Sequence, residues 1–501
     1  MAISIIFERL KMKKQAILIM SLFVLCSMAK AAGFTVPKEE WVARYNGVSN
    51  DEDQAQAIAI DSSGNVYVTG TSHGDDFLPL ADYATIKYDP NGNELWLEKY
   101  NGTGNGDDMA WDMAIDSSSN VYVTGTSTGS DGDRDFVTIK YDSQGNELWV
   151  ARWDGPSSLG SSSRNLTIDN LGNVYVLGDS RISGTDTDYV TLKYDPNGVE
   201  LWEAIYDSPN SNSEHARGIA IDNSGNVYVA GRGGSSDYDY VTVKYDTDGN
   251  EQWVAMYEGP GGDSEEVTAI AIDSLGNVYV TGDSENANGD NDYATVKYAP
   301  NGTELWVARY DGGLNDKPYS LAIDNSDNVY VTGQKVAIST ETTSPDVCTI
   351  KYDSDGNELW VVTYNGPDNK SESGRVLTID NSGNIYVGGR SGNIFGNRDY
   401  LIIKYDTNGN ELWTIRYDGP GNYHDNIEGM VLDDFNNVYV TGVSGGDGTG
   451  SDYATIKYSQ AFCTSKPQMD FDGDCKVGMK DLSIFTQGWL ACNLDPPSAC
   501  R

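Results

Sequence analysis

The chain has 501 residues and carries 34 Lys+Arg against 75 Asp+Glu, a formal net charge of −41 at pH 7. A field of that sign repels nucleic acid and anionic membrane surfaces and favours cations, which excludes a DNA- or RNA-binding role. At the N-terminus, Lys11, Lys13 and Lys14 precede an apolar run over residues 16–26 and then Ala29-Lys30-Ala31. That order is the pattern of an export signal cleaved near Ala31. Residues 1–31 are therefore expected to be removed, with Met12 as an alternative start, and the protein is placed outside the cell or on its surface. No other run approaches the roughly 20 apolar residues of a membrane-spanning helix.

From residue 57 to 100 the sequence reads AIAIDSSGNVYVTGTSHGDDFLPLADYATIKYDPNGNELWLEKY. Four short alternating runs rich in Val, Ile, Thr and Tyr, separated by turn residues, read as four strands in a meander, here named a to d. The tyrosine of strand b recurs as Tyr67, Tyr122, Tyr175, Tyr228, Tyr279, Tyr330, Tyr386 and Tyr439, a period of 51 to 56 residues. A four-stranded unit at that spacing is the pattern of a propeller blade. Each strand a ends in Asp (Asp61 first), and after a gap of three residues comes an Asn (Asn65 first) preceded by Gly, Ser, Asp or Asn. This suits a tight turn with positive φ, the Asp side chain capping the backbone. Strand b ends in Gly in all eight copies, from Gly70 to Gly442, where backbones are expected to approach closely. Strand c opens with Asp (Asp82 to Asp452) and carries Lys five residues on, read as inter-blade pairing or strand capping. Strand d carries Trp41, Trp96, Trp149, Trp202, Trp253, Trp306, Trp360 and Trp413.

The ends of the array complement each other. The chain begins with a strand d at Trp41 that has no a, b or c before it, and it finishes with a, b and c but no d. The fold class is therefore all-β: an eight-bladed β-propeller over residues 32–458, closed by the N-terminal strand, which removes exposed sheet edges. The D-x-x-G-N-V-Y-V-T-G run, followed by D-Y-x-T-x-K-Y and N-G-N-E-L-W, resembles the bacterial β-propeller repeat family called SBBP. The resemblance spans some 420 residues and implies a propeller and an extracytoplasmic location, but no single activity.

The a–b and c–d turns are short and nearly invariant and fall on one face. The b–c and d–a loops vary and fall on the other, where binding is expected. Eight residues before the end of strand a stand Asp53, Asp108, Glu214, Glu265, Asp316, Glu372 and Asp425, with Ser161 in the third copy. These carboxylates are a candidate cation ring at the channel mouth; the alternative is that each caps its own d–a loop. Three residues further on the copies disagree: Gln56, Trp111, Arg164, Arg217, Thr268, Tyr319, Arg375 and Glu428. Aromatics and arginines here suit a sugar or other polar ring, so Trp111, Arg164, Arg217, Tyr319 and Arg375 are the candidate ligand-binding residues, unless they are channel filler. His73, His215 and His424 are too scattered for a metal triad, and no nucleophile motif appears.

After a linker at 459–468, residues 469–501 form a distinct tail. Asp470, Asp472, Asp474 and Asp481 fall at positions 1, 3, 5 and 12 of a calcium loop, with the Lys476 carbonyl at position 7. An amphipathic helix follows through Leu482, Ile484, Phe485, Trp489 and Leu490. Cys463, Cys475, Cys492 and Cys500 read as two disulfides with three open pairings, and Cys348 as a buried free thiol. The tail resembles one half of a type I dockerin, an EF-hand-like module that attaches secreted proteins to cohesins; it departs in having Cys475 where Gly is usual and only one repeat. Calcium is the implied cofactor, and a cohesin-like or cell-surface partner the implied attachment. The reading is a monomeric, secreted, non-catalytic recognition propeller for extracellular polysaccharide. A glycoside hydrolase or polysaccharide lyase using carboxylates on the variable face, and a structural adhesion protein, are the alternatives.

Overall fold

The structure, a computed structural model, describes residues 36–460 apart from 49, 75–79, 156–159, 183–185, 209–212, 235–237, 263–264, 337–343 and 422. The expected export signal (1–31), the calcium loop with Asp470, Asp472, Asp474, Lys476 and Asp481, the tail helix and the four tail cysteines lie outside the described residues. The described residues form strands and turns with no helix among them, so none of them provides a helix long and apolar enough to cross a membrane.

Among the described residues, thirty-two strands assemble into eight antiparallel four-stranded sheets. Blade 1 runs a (Asp53–Ile60), b (Val66–His73), c (Ala81–Tyr88) and d (Glu94–Tyr100). Blades 2 to 7 repeat that order. Blade 8 takes a (Asn426–Leu432), b (Val438–Gly445) and c (Ser451–Ser459) from the end of the propeller and d (Lys38–Tyr45) from its start. Each strand a packs against strand a of the next blade, and that of blade 8 against that of blade 1, so the strands a form a closed inner ring. Eight apolar clusters fill the eight interfaces; the one joining the ends of the ring gathers Tyr45, Tyr439 and Tyr453 of blade 8 with Ile58, Val66 and Val68 of blade 1.

Local chemistry explains the repetition. Asp61 Oδ1 accepts the amides of Ser63 and Asn65 at 2.9 Å, and Oδ2 accepts Asn65 Nδ2 at 2.8 Å and the Tyr67 hydroxyl at 3.0 Å. One side chain thus fixes the a–b turn and ties it to strand b. The turn residue has positive φ in every copy, from Gly64 (80°) to Ser119 (60°), Asp327 (60°) and Asn436 (61°). Between blades, the Trp indole and the Lys ammonium donate to one carbonyl of the next c–d turn: Trp96 Nε1 at 3.3 Å and Lys87 Nζ at 2.8 Å to Ser143 O. At the closure, Trp41 and Lys457, from opposite ends of the propeller, meet on Pro90 O at 3.1 and 3.3 Å.

Four of the strand-c aspartates pair within their own blade. Asp135, Asp292, Asp399 and Asp452 pair with Arg152, Arg309, Arg416 and Arg44 on strand d of the same sheet, because c and d run side by side and d ends where c begins. Cys348 is buried and free.

Candidate functional site

Every strand a carries a β-bulge at the same height. The register with strand b skips one residue per blade: Gln56, Trp111, Arg164, Arg217, Thr268, Tyr319, Arg375 and Glu428. These are the residues at which the repeats disagree. A bulge releases its residue from the ladder and re-aims the side chain. The strand-b glycine opposite permits it: a Cβ on Gly70 would stand 2.0 Å from Gln54 O and 2.8 Å from Ala55 Cα.

Two of the five candidate ligand residues are brought into contact. The Arg375 guanidinium lies over the Tyr319 ring at 5.4 Å, and its other neighbour is Glu428 at 3.4 Å. All three are bulge residues on successive inner strands, so the bulges face a shared space. Arg164 turns to Asp179 at 3.4 Å and Arg217 to Glu266 at 2.6 Å. Trp111 is half-buried, and its indole N–H is buried without a hydrogen-bond partner.

A second column completes the mouth and escaped sequence reasoning. The residue after the strand-b glycine is Thr71, Thr126, Asp179, Arg232, Asp283, Gln334, Arg390 or Val443, each paired across the sheet with the residue that follows the acidic position (Ser161 in blade 3) at the entry to strand a. Arg232 joins Arg217 on Glu266 at 2.6 Å and lies 4.5 Å over Tyr238, while Lys317 reaches Asp283 at 3.1 Å and His215 Asp179 at 3.5 Å. The signal was in the repeats: this column varies as widely as the bulge column. The mouth columns thus hold Arg164, Arg217, Arg232, Lys317, Arg375 and Arg390 against Asp179, Glu266, Asp283 and Glu428, a local excess of positive charge in a strongly acidic chain.

The seven expected ring carboxylates do not line a common opening. Each is buried and turned to its own d–a loop. Asp53 accepts the amides of Gly47 (2.5 Å) and His73 (3.2 Å), Asp108 those of Gly102 and Thr128, Asp316 those of Gly312 and Val336, and Asp425 those of Gly419 and Gly445. Glu214, Glu265 and Glu372 accept serine hydroxyls, from Ser208, Ser284 and Ser391. Local donors, loop amides for the aspartates and serine hydroxyls for the glutamates, hold each carboxylate beside its own blade rather than in a shared ring. Burial, with Asp188 and Asp207 nearby, pushes Glu214 up to about 7; burial also carries Glu265 and Glu372 to about 7 and Asp316 to about 6.

Among the described residues, three carboxylate trios form around these caps: Asp188, Asp207 and Glu214; Asp292, Asp311 and Asp316; Asp399, Asp418 and Asp425. Arg309 and Arg416 neutralise the latter two. In the first, Ile205 occupies the arginine's place on strand d (Glu200–Tyr206), so this trio has the donor set a divalent cation would use. A half-open cleft of about 390 Å³ sits on the short-turn face between blades 6 and 7, lined by Asp324, Asn328, Lys351, Asp380 and Thr407. Its lining is the repeated turn residues, so it belongs to the framework.

A family model described as SBBP, beta-propeller repeat, matches residues 40–77, 215–239 and 252–290. This is a β-propeller repeat protein. Each matched segment of the propeller contains strand a and strand b of one blade. The propeller is 23% identical to an uncharacterised WD repeat-containing protein of Acanthamoeba polyphaga mimivirus, over 80% of this chain and 31% of that protein. The chain therefore spans less than a third of that relative's length. Among solved structures it is similar to the β-propeller domain of the Trilobed protease from Pyrococcus furiosus, at 9% identity and a TM-score of 0.42, covering 71% of this chain and 99% of that one. It is also similar to Drosophila Plexin A in complex with Semaphorin 1b, at 12% identity and a TM-score of 0.41, covering 87% and 90%.

Proposed function

We propose that the propeller is a non-catalytic recognition module that binds an extracellular polysaccharide at the channel mouth on the variable-loop face. One observation carries the reading. Eight bulges at one height present eight side chains that the framework does not dictate, and they include Trp111, Tyr319 and three arginines. Aromatic faces stack on sugar rings while guanidinium groups donate to hydroxyl and carboxylate oxygens. Export through residues 1–31 and attachment through a calcium-binding, dockerin-like tail at 469–501 complete the proposal, on the strength of their sequence patterns alone.

The test is binding of the full chain to a panel of polysaccharides, with calcium and with chelator, for wild type and Trp111→Ala. Selective binding that weakens at least tenfold in the variant is the expected outcome. Release of reducing ends would replace the reading with an enzyme, and absence of binding to every glycan would overturn it. Calcium titration of the full chain addresses the tail separately: Asp470→Ala with Asp472→Ala abolishes the high-affinity site while leaving glycan binding intact.

A further inference from the structure

Blade 7 departs from the other blades in the way its charges are compensated. Arg375 occupies the bulge of strand a (Glu372–Ile379), Arg390 lies on strand b (Ile385–Gly392), and Arg398 opens strand c (Arg398–Tyr405). Arg390 stands between Ser373 on one side and Tyr400 on the other, and Arg398 pairs with Gly392 two residues along. Three guanidinium groups thus come from three adjacent strands of one sheet at its mouth-side end.

The other mouth cations each have a carboxylate: Asp179 for Arg164, Glu266 for Arg217 and Arg232, Asp283 for Lys317, Glu428 for Arg375. Arg390 forms no such pair among the described residues. Its Nε is buried with no hydrogen-bond partner, and so is the hydroxyl of Ser373, the residue directly across the ladder and itself fully buried. Arg398 likewise makes no side-chain ion pair among the described residues. Glu428 is the carboxylate that faces both Arg375 and Arg390, Arg398 adds a third positive charge beside them, and burial together with repulsion from Arg398 and Arg375 lowers the Arg390 pKa to about 10. A half-buried guanidinium without an acceptor, held against two like charges, costs stability and persists only where something else repays it. The loop between Arg390 and Arg398 also presents Ile394 and Phe395 to solvent, the latter 80% exposed, and Tyr423 is 61% exposed on the d–a loop leading into blade 8. Exposed aromatics beside unpaired arginines suit a ring that carries an acidic group.

We propose that Arg375, Arg390 and Arg398 form a subsite for a carboxylate, so that the glycan taken at the mouth is a polymer of acidic sugars. This rests on the reading of the mouth as a glycan site. The side chains are arginines, not lysines, and a guanidinium fork meets a planar carboxylate through two parallel hydrogen bonds, which an ammonium cannot do. Arg375 is already fixed by its stacking on Tyr319 and its pair with Glu428, so Arg390 and Arg398 supply the free donors.

The experiment compares binding of the full chain to polygalacturonate, its methyl ester, dextran sulfate and a neutral glucan, for wild type, Arg390→Met and Trp111→Ala, with a melting curve for each. The expected result is tightest binding to polygalacturonate, at least tenfold weaker binding to its ester, and at least a tenfold loss in Arg390→Met. That variant should melt no lower than wild type, since no protein group accepts from Arg390; a lower melting temperature with unchanged binding would make the arginine structural and overturn the subsite. Equal binding of acid and ester, or binding of the neutral glucan alone, would overturn the subsite and leave the glycan reading standing. Preference for dextran sulfate would replace the carboxylate by a sulfate and overturn the assignment. Binding to none of the four would remove both.

Discussion

The glutamates at the entry to strand a give the fold a pH dependence that can be worked out in advance. Where this position is Asp, both carboxylate oxygens receive backbone amides, as Asp108 does from Gly102 and Thr128. Where it is Glu, the extra methylene carries the group past that geometry. Oε1 takes a serine hydroxyl, and Oε2 of Glu214, Glu265 and Glu372 is buried with no partner. Desolvation then outweighs the hydrogen bonds, and each carboxyl rises from 4.5 to about 7. A folded-state pKa above the unfolded value means that the folded chain holds protons the unfolded chain releases. Stability is therefore fully present below pH 4.5, falls as pH rises through about 7, and is constant above. The difference sets a ceiling of ~3.4 kcal/mol per group at about 1.36 kcal/mol per pKa unit. Water near the loops screens these groups, so a contribution of about 1–2 kcal/mol each, or ~3–6 kcal/mol for the three, is the working figure. A cooperative unit of about 420 residues has an unfolding entropy near ~0.9 kcal/mol/K, so the effect is ~3–6 °C. In Glu214→Gln/Glu265→Gln/Glu372→Gln the amide stands in for the protonated acid. Melting curves at pH 4.5, 5.5, 6.5 and 8 should coincide with wild type at the lowest pH and exceed it by that margin at the highest. Comparison with wild type cancels the turn aspartates, such as Asp61 and Asp116, whose lowered pKa values change stability in the opposite sense at lower pH. A pH-independent offset, or a wild type that is the more stable at pH 8, would refute the argument.

Other expectations follow from the same geometry. Arg44 reaches Asp452 Oδ2, Ser444 Oγ, Ser444 O and Gly445 O at 2.9 Å each, holding the N-terminal strand to the last blade. Arg44→Ala leaves Asp452 buried and uncompensated, at a cost of about 2–4 kcal/mol, and a freed sheet edge should add concentration-dependent aggregation in light scattering. Gly178→Ala forces a Cβ to 2.2 Å from Ser162 O and 2.5 Å from the Phe136 ring, so about 3 kcal/mol or more should be lost in denaturant titration. By contrast, Gly64→Asn should shift the midpoint by less than about 0.5 kcal/mol, because Asn436 already holds the same turn position at φ 61° in blade 8.

The architecture was legible because it depends on local rules repeated eight times. Alternation along each run, the Asp-x-x-Gly-Asn turn and the unmatched strand at Trp41 each follow from short-range chemistry, and the structure closes the ring on that strand. What lay beyond reach depends on pairs of strands. A bulge is a property of register, so the sequence marked Trp111 and Arg375 as variable without revealing that both stand outside the ladder. The direction of a carboxylate was equally hidden. Spacing places Asp53 and Glu372 in one row around the inner ring, but each of the seven carboxylates takes its hydrogen bonds from loop amides or serines close to it, a direction that spacing does not encode.

Repetition also supplies an internal standard for telling framework from function. A framework position that changes is compensated close by. Trp153 replaces the usual strand-d tyrosine, and its indole N–H finds Glu203 on the next blade at 2.7 Å. Asn393 stands where blades 2 and 8 have Gly129 and Gly446, and it donates to Asp399 at 2.9 Å. Arg390 and Arg398 change without any such response, although Glu428 shows that the neighbouring blade can place a carboxylate within reach of this blade's arginines. A charge imbalance that the fold could correct and does not is the mark of a group reserved for something outside the chain. By that measure blade 7, not the more numerous acidic rows, is where the proposed recognition chemistry is to be tested first.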